Sequence, residues 1–172
     1  IRRAFCAVRP PGHHTHRDKP GAFCVFNNIA IAAAYLRNRR GIGKVAIVDF
    51  DVHHGDGTQD IFYEDDSVLT MSVHEFGPDP IISGRVFYPG TGREDERGAG
   101  KGLGYCVNVP LPPRSGIGEY RQAFESRLLP ALRRFRPDFI LVAAGFDAHL
   151  PRRIPVNDAG VCLGQVMEFL SQ

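Results

Sequence analysis

The chain has 172 residues, is 43% apolar, and balances 21 basic against 19 acidic side chains for a formal charge of +2. That length supports a single hydrophobic core, and therefore one domain. So small a charge gives no basis for direct nucleic-acid binding, and no apolar run reaches the length of a membrane span, so neither is expected as a partner.

Taken in chain order, Ala4 to Val8 is an apolar run that reads as a strand. Asn27 to Arg40 reads as a helix stopped by Gly41, with the basic cluster Arg37 to Arg40 opposing the dipole at its C-terminus. Lys44 to Phe50 is a strand, Thr58 to Tyr63 a short helix, Val68 to His74 a strand and Tyr105 to Val109 a further strand. Gly118 to Phe135 is amphipathic, with Tyr120, Phe124, Leu128, Ala131 and Phe135 on one stripe, a kink predicted at Pro130 and basic residues 133–136 at its end. Asp138 to Ala144 completes the strands, and Ala159 to Leu170 is predicted to be a terminal helix. Strands alternating with helices predict an α/β fold, a parallel sheet flanked by helices on both faces. Between Glu75 and Gly104 the chain is rich in glycine, proline and charge, as suits a long loop over a site. Cys6, Cys24, Cys106 and Cys162 show no CxxC spacing. Three of them fall in apolar strand or helix-entry contexts where a buried free thiol is the default, which implies a reducing compartment.

One stretch carries chemistry. Asp49-Phe-Asp51-Val-His53-His54-Gly-Asp56-Gly follows the strand-like run Lys44-Val-Ala-Ile-Val48. Strand alternation puts Asp49, Asp51 and His53 on one side as the chain emerges at the carboxyl end, where open parallel sheets place ligands. Carboxylate and neutral imidazole suit zinc, or manganese or iron if more oxygen ligands join. The plainer alternative is a polar turn with Gly55 and Gly57 at positive φ, but a turn does not require three ionisable groups on one face. A second segment, Arg9-Pro-Pro-Gly12-His13-His14, also lies just beyond a strand, although adjacent histidines alone read as a solvated loop. A third, Gly145-Phe-Asp147-Ala-His149, follows the strand that ends at Ala144. Three strands thus each deliver acid or imidazole from their carboxyl ends.

In these segments the chain resembles the zinc-dependent histone deacetylase and acetylpolyamine amidohydrolase family. The matching stretches are RPPGHH at 9–14, AFCVFNNIAIAA at 22–33, VDFDVHHGDGTQDIFY at 48–63 and MSVHEF at 71–76. FYPGTG at 87–92, GKGLGYCVNVPL at 100–111 and AGFDAH at 144–149 complete a collinear set over residues 4–149. GFDAH and the turn VPLPPRSG are closer to the class II and bacterial branches.

The resemblance implies the arginase/deacetylase fold, with residues 1–172 as a single partial catalytic domain truncated at both ends. Ile1 is not an initiator, and the chain is expected to start inside a longer protein. It implies one zinc per site on Asp51, His53 and Asp147, which leaves positions open for water and substrate. His13 and His14 match the tandem histidines flanking the water, with Asp49 partnering His13 and Asp56 partnering His14. A carboxylate on one ring nitrogen fixes the tautomer and raises the basicity of the other. His14 would act as general base and then general acid, while His13 orients water and stabilises charge. Ala22, Phe23 and Tyr88 match the tunnel around an acyl-lysine side chain, with core packing as the alternative for the two aromatics. The family usually has glycine at position 22 and phenylalanine at position 88. Potassium is a further implied ion: Asp49, Asp51, His53, Ser72 and Val73 match one site, and Phe62, Asp65, Val68 and Tyr105 the other. His54 follows the ligand His53 without coordinating zinc, His74 and His149 have no matched role, and His16 reads as a solvated-loop residue.

The implied function is hydrolysis of an acetyl amide on protein lysine or on an acetylpolyamine, in the cytoplasm or, in a eukaryote, the nucleus. The chain departs from the family past His149, where Leu150-Pro-Arg-Arg-Ile-Pro-Val156 intervenes. The family's transition-state tyrosine lies in a later glycine-rich segment that does not occur before Gln172, so this stretch by itself is expected to have low activity. That donor is typically worth on the order of 3 kcal/mol. The upstream acidic rim residue is also missing. Two other classes stay open: a non-catalytic acyl-lysine or metal-binding module, and a binuclear manganese ureohydrolase, which needs further bridging carboxylates. The sequence carries no signal of oligomeric state.

Overall fold

The structure, a computed structural model, describes residues 3–79, 83–146 and 161–167. Six strands form one sheet: β1 (Arg3–Ala7), β2 (Val45–Asp49), β3 (Val68–Glu75), β4 (Cys106–Leu111), β5 (Phe139–Phe146) and β6 (Val161–Met167), in the order β1-β6-β5-β2-β3-β4. β2 pairs in parallel with both β3 and β5, and β3 in parallel with β4. The parallel core explains the apolar runs of the sequence, since a strand covered on both faces is buried along most of its length. All five residues of β2 are buried, as are the first seven of β3.

Alternation along these strands builds two cores. Val45, Ile47, Val68 and Leu141 point to one face, where they meet Ala30 and Ala33 of α1 (Asn28–Arg40) and Phe62 of α2 (Asp56–Phe62). Ala46, Val48, Leu69, Met71, Val73, Ile140 and Val142 point to the other, against Ala123, Leu128, Ala131 and Phe135. Helices therefore cover both faces. α1 begins where the Asn27 side chain accepts from the Ala30 N–H at 3.0 Å. It ends in a left-handed Gly41 (φ 68°), with the Ile42 N–H reaching back to the Leu36 carbonyl.

Two expectations change. The segment 159–170, expected as a helix, contributes β6, which runs antiparallel between β5 and β1. Gly164 and two β-branched valines weaken a helix there, and the open edges of β5 and β1 supply hydrogen-bond partners that an isolated helix lacks. The amphipathic stretch at 118–135 is not one kinked helix but α3 (Ile117–Ala123), a π-helical turn (Phe124–Leu128) and α4 (Leu129–Phe135). Pro130 has no N–H to donate, and the wider turn just before it, closed by the Leu129 N–H on the Phe124 carbonyl, absorbs that loss. The apolar stripe itself faces the core as expected, with Leu128, Ala131 and Phe135 buried. Cys6 also differs: β1 lies at the sheet edge and its thiol is exposed, whereas Cys24 and Cys106 are buried, and all three are free.

Candidate active site

The site forms where β2 ends. The Asp51 N–H donates to Asp49 Oδ1 at 3.1 Å and the His53 N–H to Asp51 Oδ1 at 2.8 Å. These two successive Asx-type turns hold three ionisable side chains in sequence as the chain leaves the strand. Neither Gly55 (φ −78°) nor Gly57 has positive φ, so the plain-turn alternative does not describe this segment. The histidine loop after β1 is clamped from both helices on that face. Asn27, besides capping α1, donates through Nδ2 to the Thr15 carbonyl at 3.0 Å and to Thr58 Oγ1 at 3.1 Å. The Thr58 N–H donates to the His13 carbonyl at 3.1 Å.

So held, His13 Nδ1 lies 2.8 Å from Asp49 Oδ2, and His14 Nδ1 lies 2.7 Å from Asp56 Oδ1. Both carboxylates can only accept, so each histidine carries its proton on Nδ1 and leaves Nε2 for chemistry. Both histidines are buried, with ring centroids 4.0 Å apart. Asp51 stands beside them, its Oδ1 3.9 Å from His13 Nε2, and the His14 and His53 rings are 6.0 Å apart.

The electrostatics differ across the pair. Burial works against a charged His13, but the charge of Asp49, its hydrogen bond, and the charges of Asp51 and Asp56 outweigh it and raise His13 to about 9. Burial dominates at His14 and, joined by the neighbouring His13 charge, lowers its pKa despite the bond to Asp56. Asp51 is pushed up by burial but held down further by the His53 hydrogen bond and the His13 charge, to about 2, so it is ionised. A cation at Asp51 would draw off part of the charge that keeps His13 high. The result is one charged and one neutral imidazole side by side.

The two aromatics expected at the tunnel are exposed, Phe23 at 69% and Tyr88 at 44%, which excludes the core-packing alternative. Tyr88 stands edge-on to His14 with centroids 5.0 Å apart, and at 6.1 Å from His53. Burial, with Asp56 and Cys24, raises the Tyr88 phenol, and a backbone hydrogen bond from Ala22 opposes this. Ala22 itself has φ 47°, a left-handed conformation where the family usually has glycine. Phe87, which the sequence reading passed over, stacks flat on the His53 ring at 4.8 Å and 6°. Its position beside Tyr88 in FYPGTG was the only available signal.

Of the potassium candidates, Ser72 and Val73 lie in β3 with Ser72 opposite Asp49 in register. Phe62 ends α2, Val68 opens β3, and Asp65 and Tyr105 lie in the adjoining loops. The Phe62 carbonyl accepts from the Asp65 N–H and the Tyr105 carbonyl from the Thr70 N–H. His16 departs from the solvated-loop reading: its Nε2 is 3.4 Å from Asp56 Oδ2 and its Nδ1 3.1 Å from Asp60 Oδ2. Two carboxylates one helical turn apart on α2 draw it in, a pairing that spans 40 residues and leaves no local mark. His54 and His74 are fully buried. Asp147 and His149 lie outside the described residues. Among the described residues no group of three or more His, Cys, Asp and Glu is arranged to hold a metal. Two of the three expected zinc ligands, Asp51 and His53, come together there, and their donor atoms, an ionised carboxylate oxygen and an imidazole nitrogen, fit zinc in kind.

Fold and site define an α/β protein with two imidazole–carboxylate dyads set beside an Asp–His pair at the carboxyl ends of its strands. The chain belongs to the histone deacetylase domain family, whose pattern it matches over residues 1–154. It is 50% identical over 145 residues, 84% of the chain, to histone deacetylase 10, chloroplastic, of Oryza sativa subsp. japonica, of which it spans 31%. It is 45% identical over 146 residues, 85% of the chain, to a probable deacetylase of Archaeoglobus fulgidus, of which it spans 38%. The crystal structure of an acetylpolyamine aminohydrolase from Burkholderia pseudomallei superposes on 86% of the chain with a TM-score of 0.71 and 46% identity, and 40% of that protein is covered. The chain thus spans less than half the length of each of these relatives.

Proposed function

We propose that the protein containing this chain is a zinc-dependent amidohydrolase that removes acetyl groups from lysine side chains or acetylpolyamines. The observation that carries this reading is the doubled dyad, His13–Asp49 and His14–Asp56, packed against Asp51 and His53. Asp51, His53 and Asp147 would hold the zinc, which when bound supplies the positive charge that polarises an acyl carbonyl and acidifies water. His14, neutral and with its Nδ1 proton fixed by Asp56, takes the proton of the attacking water on Nε2 and later gives it to the departing amine. His13, hydrogen-bonded to Asp49, orients that water and stabilises negative charge forming on the acyl oxygen. Asp49 and Asp56 keep each ring in one tautomer and orientation. Phe23 and Tyr88, both exposed, would flank the entry, where a linear alkylamine arm would fit between two aromatic faces. Potassium at the two backbone-lined positions would stiffen the strand ends. Three free thiols suit a reducing compartment, the cytoplasm or a eukaryotic nucleus.

The test is acetate release from an acetyl-lysine peptide and from an acetylpolyamine by the zinc-loaded protein, with His14→Ala as control. Release lost in the variant supports the reading. Undiminished release in that variant, or no release from either substrate by the parent, defeats it.

A further inference from the structure

The segment 87–92 brings Phe87 and Tyr88 over the two rings His53 and His14, and its far end is tied down by side chains to which, Ser72 apart, the expected roles give nothing to do. Thr91 Oγ1 donates to His54 Nδ1 at 2.8 Å, and His54 Nε2 donates to Gln59 Oε1 at 3.1 Å. Gln59 Oε1 also accepts from Asn108 Nδ2 at 2.6 Å, while Gln59 Nε2 donates to Glu96 Oε2 at 2.6 Å. The Glu96 carboxylate accepts the N–H groups of Gly92 and Arg93, each at 3.0 Å. The Gly92 carbonyl accepts from His74 Nε2 at 2.9 Å, and His74 Nδ1 accepts from Ser72 Oγ at 2.8 Å. Only glycine fits at 92: φ is 91°, and a Cβ would lie 2.3 Å from His74 Nε2.

This network joins the wall of the site to the same short helix that carries the base's partner. Asp56 and Gln59 stand three residues apart on α2, close to one face, so one rigid element fixes both the His14–Asp56 dyad and, through Glu96, the loop above it. We propose that Gln59 and Glu96 are positioning residues that hold the Phe87–Tyr88 wall over His14 and His53, and so set how tightly an acylated amine arm is bound. The binding half of this inference rests on the deacetylase reading, and the positioning half does not.

The experiment compares Glu96→Ala and Glu96→Gln in the zinc-loaded protein, by amide hydrogen exchange of peptides and by kinetics on an acetyl-lysine peptide. Glu96→Ala leaves two N–H groups and Gln59 Nε2 without acceptors. Exchange over 83–93 should then rise about tenfold while β2 and β3 stay protected, and KM should rise about tenfold with kcat little changed. Glu96→Gln keeps a carbonyl oxygen and should restore most of both. Unchanged exchange over 83–93, exchange raised equally in β2 and β3, or a fall in kcat at constant KM would each overturn the proposal. If the parent protein releases no acetate, the deacetylase reading fails, and exchange alone then decides whether Glu96, with Gln59 bonded to it, holds the wall.

Discussion

Gly145, at the end of β5, lies so close to Asp51 that a Cβ placed on it would be 2.0 Å from Asp51 Oδ2 and 2.7 Å from its Cγ. No rotation of a Cβ relieves such an overlap, because a Cβ is fixed to the backbone. The carboxylate or the strand end must shift instead. Since β5 and β2 pair rigidly up to Asp49 and Ala143, the carboxylate moves. Gly145→Ala should therefore leave the secondary structure intact but weaken zinc retention about 10- to 100-fold, the usual cost of disturbing a group that orients a ligand. Zinc content after dialysis against a graded chelator measures this. Parent-like retention would show that Asp51 does not hold the metal.

The dyads can be separated by neutralising one partner at a time. Asp56→Asn removes the carboxylate that fixes His14 in its Nδ1–H tautomer, and acetate release should fall about 10- to 100-fold with little change in zinc content. Asp49→Asn acts on the charged member. In the metal-free protein His13 titrates near 9, above its ordinary 6.5, so the folded state binds the extra proton. Its contribution to stability is complete below pH 6.5 and is lost as pH rises through about 9. Denaturant melts of the metal-free parent should show a decline over that window that Asp49→Asn lacks. Equal pH profiles for the two proteins would mean that Asp49 does not hold the His13 proton.

What the sequence could reveal followed from how local its physics is. β2 was legible as a short apolar run and β3 as an alternation of Leu69, Met71 and Val73 with Thr70, Ser72 and His74, and α1 because Asn27 and Gly41 mark its ends by their own side-chain and backbone chemistry. The Asp49–His53 segment was legible as a cluster of ionisable residues at a strand end, although Asx-type turns rather than strand alternation carry it past Asp49. The strand at 161–167 was not, because its conformation is decided by β5 and β1, partners remote in sequence. The same distance hid His16 on Asp56 and Gln59 on Glu96: each side chain looks like an ordinary polar surface residue until the fold brings the other to it. Which residues partner His13 and His14 was anticipated through the family resemblance, since nothing in the spacing of 36 and 42 residues would have chosen Asp49 and Asp56 over other acids.

Thiol chemistry offers a check on the core that needs no substrate. Cys6 is exposed on β1, while Cys106 is buried and its thiol pushed up to about 11, by burial first and then by the nearby Glu96 charge, against polar neighbours that include Asn108. At pH 8 only about one Cys106 in a thousand would be thiolate, the reactive form. With Cys162 replaced by serine, a maleimide at pH 8 should label Cys6 within minutes and Cys106 only on unfolding. Burial also raises Cys24, which should label slowly as well. Fast labelling of Cys106 in the folded protein would mean that the face of β4 that carries Cys106 and Asn108 against Gln59 is open.

Asn27 links stability to the site through one side chain. Its Oδ1 caps α1 through the Ala30 N–H, and its Nδ2 holds the Thr15 carbonyl just after the two histidines and Thr58 at the start of α2. Removing it uncovers one helix end and leaves a buried carbonyl without its donor, because Asn27 is 4% exposed and water has little access. The cap alone is worth about 1 kcal/mol, and the buried carbonyl adds about 1–3 kcal/mol. Asn27→Ala should therefore destabilise the protein by about 2–4 kcal/mol in denaturant titration. Asn27→Asp restores the cap acceptor but not the two donated bonds, and places a carboxylate against the Thr15 carbonyl. If the asparagine serves chiefly to hold the histidine loop, the aspartate variant should recover helix α1 by amide exchange yet still release acetate slowly. Full recovery of both by Asn27→Asp would reduce Asn27 to a helix cap.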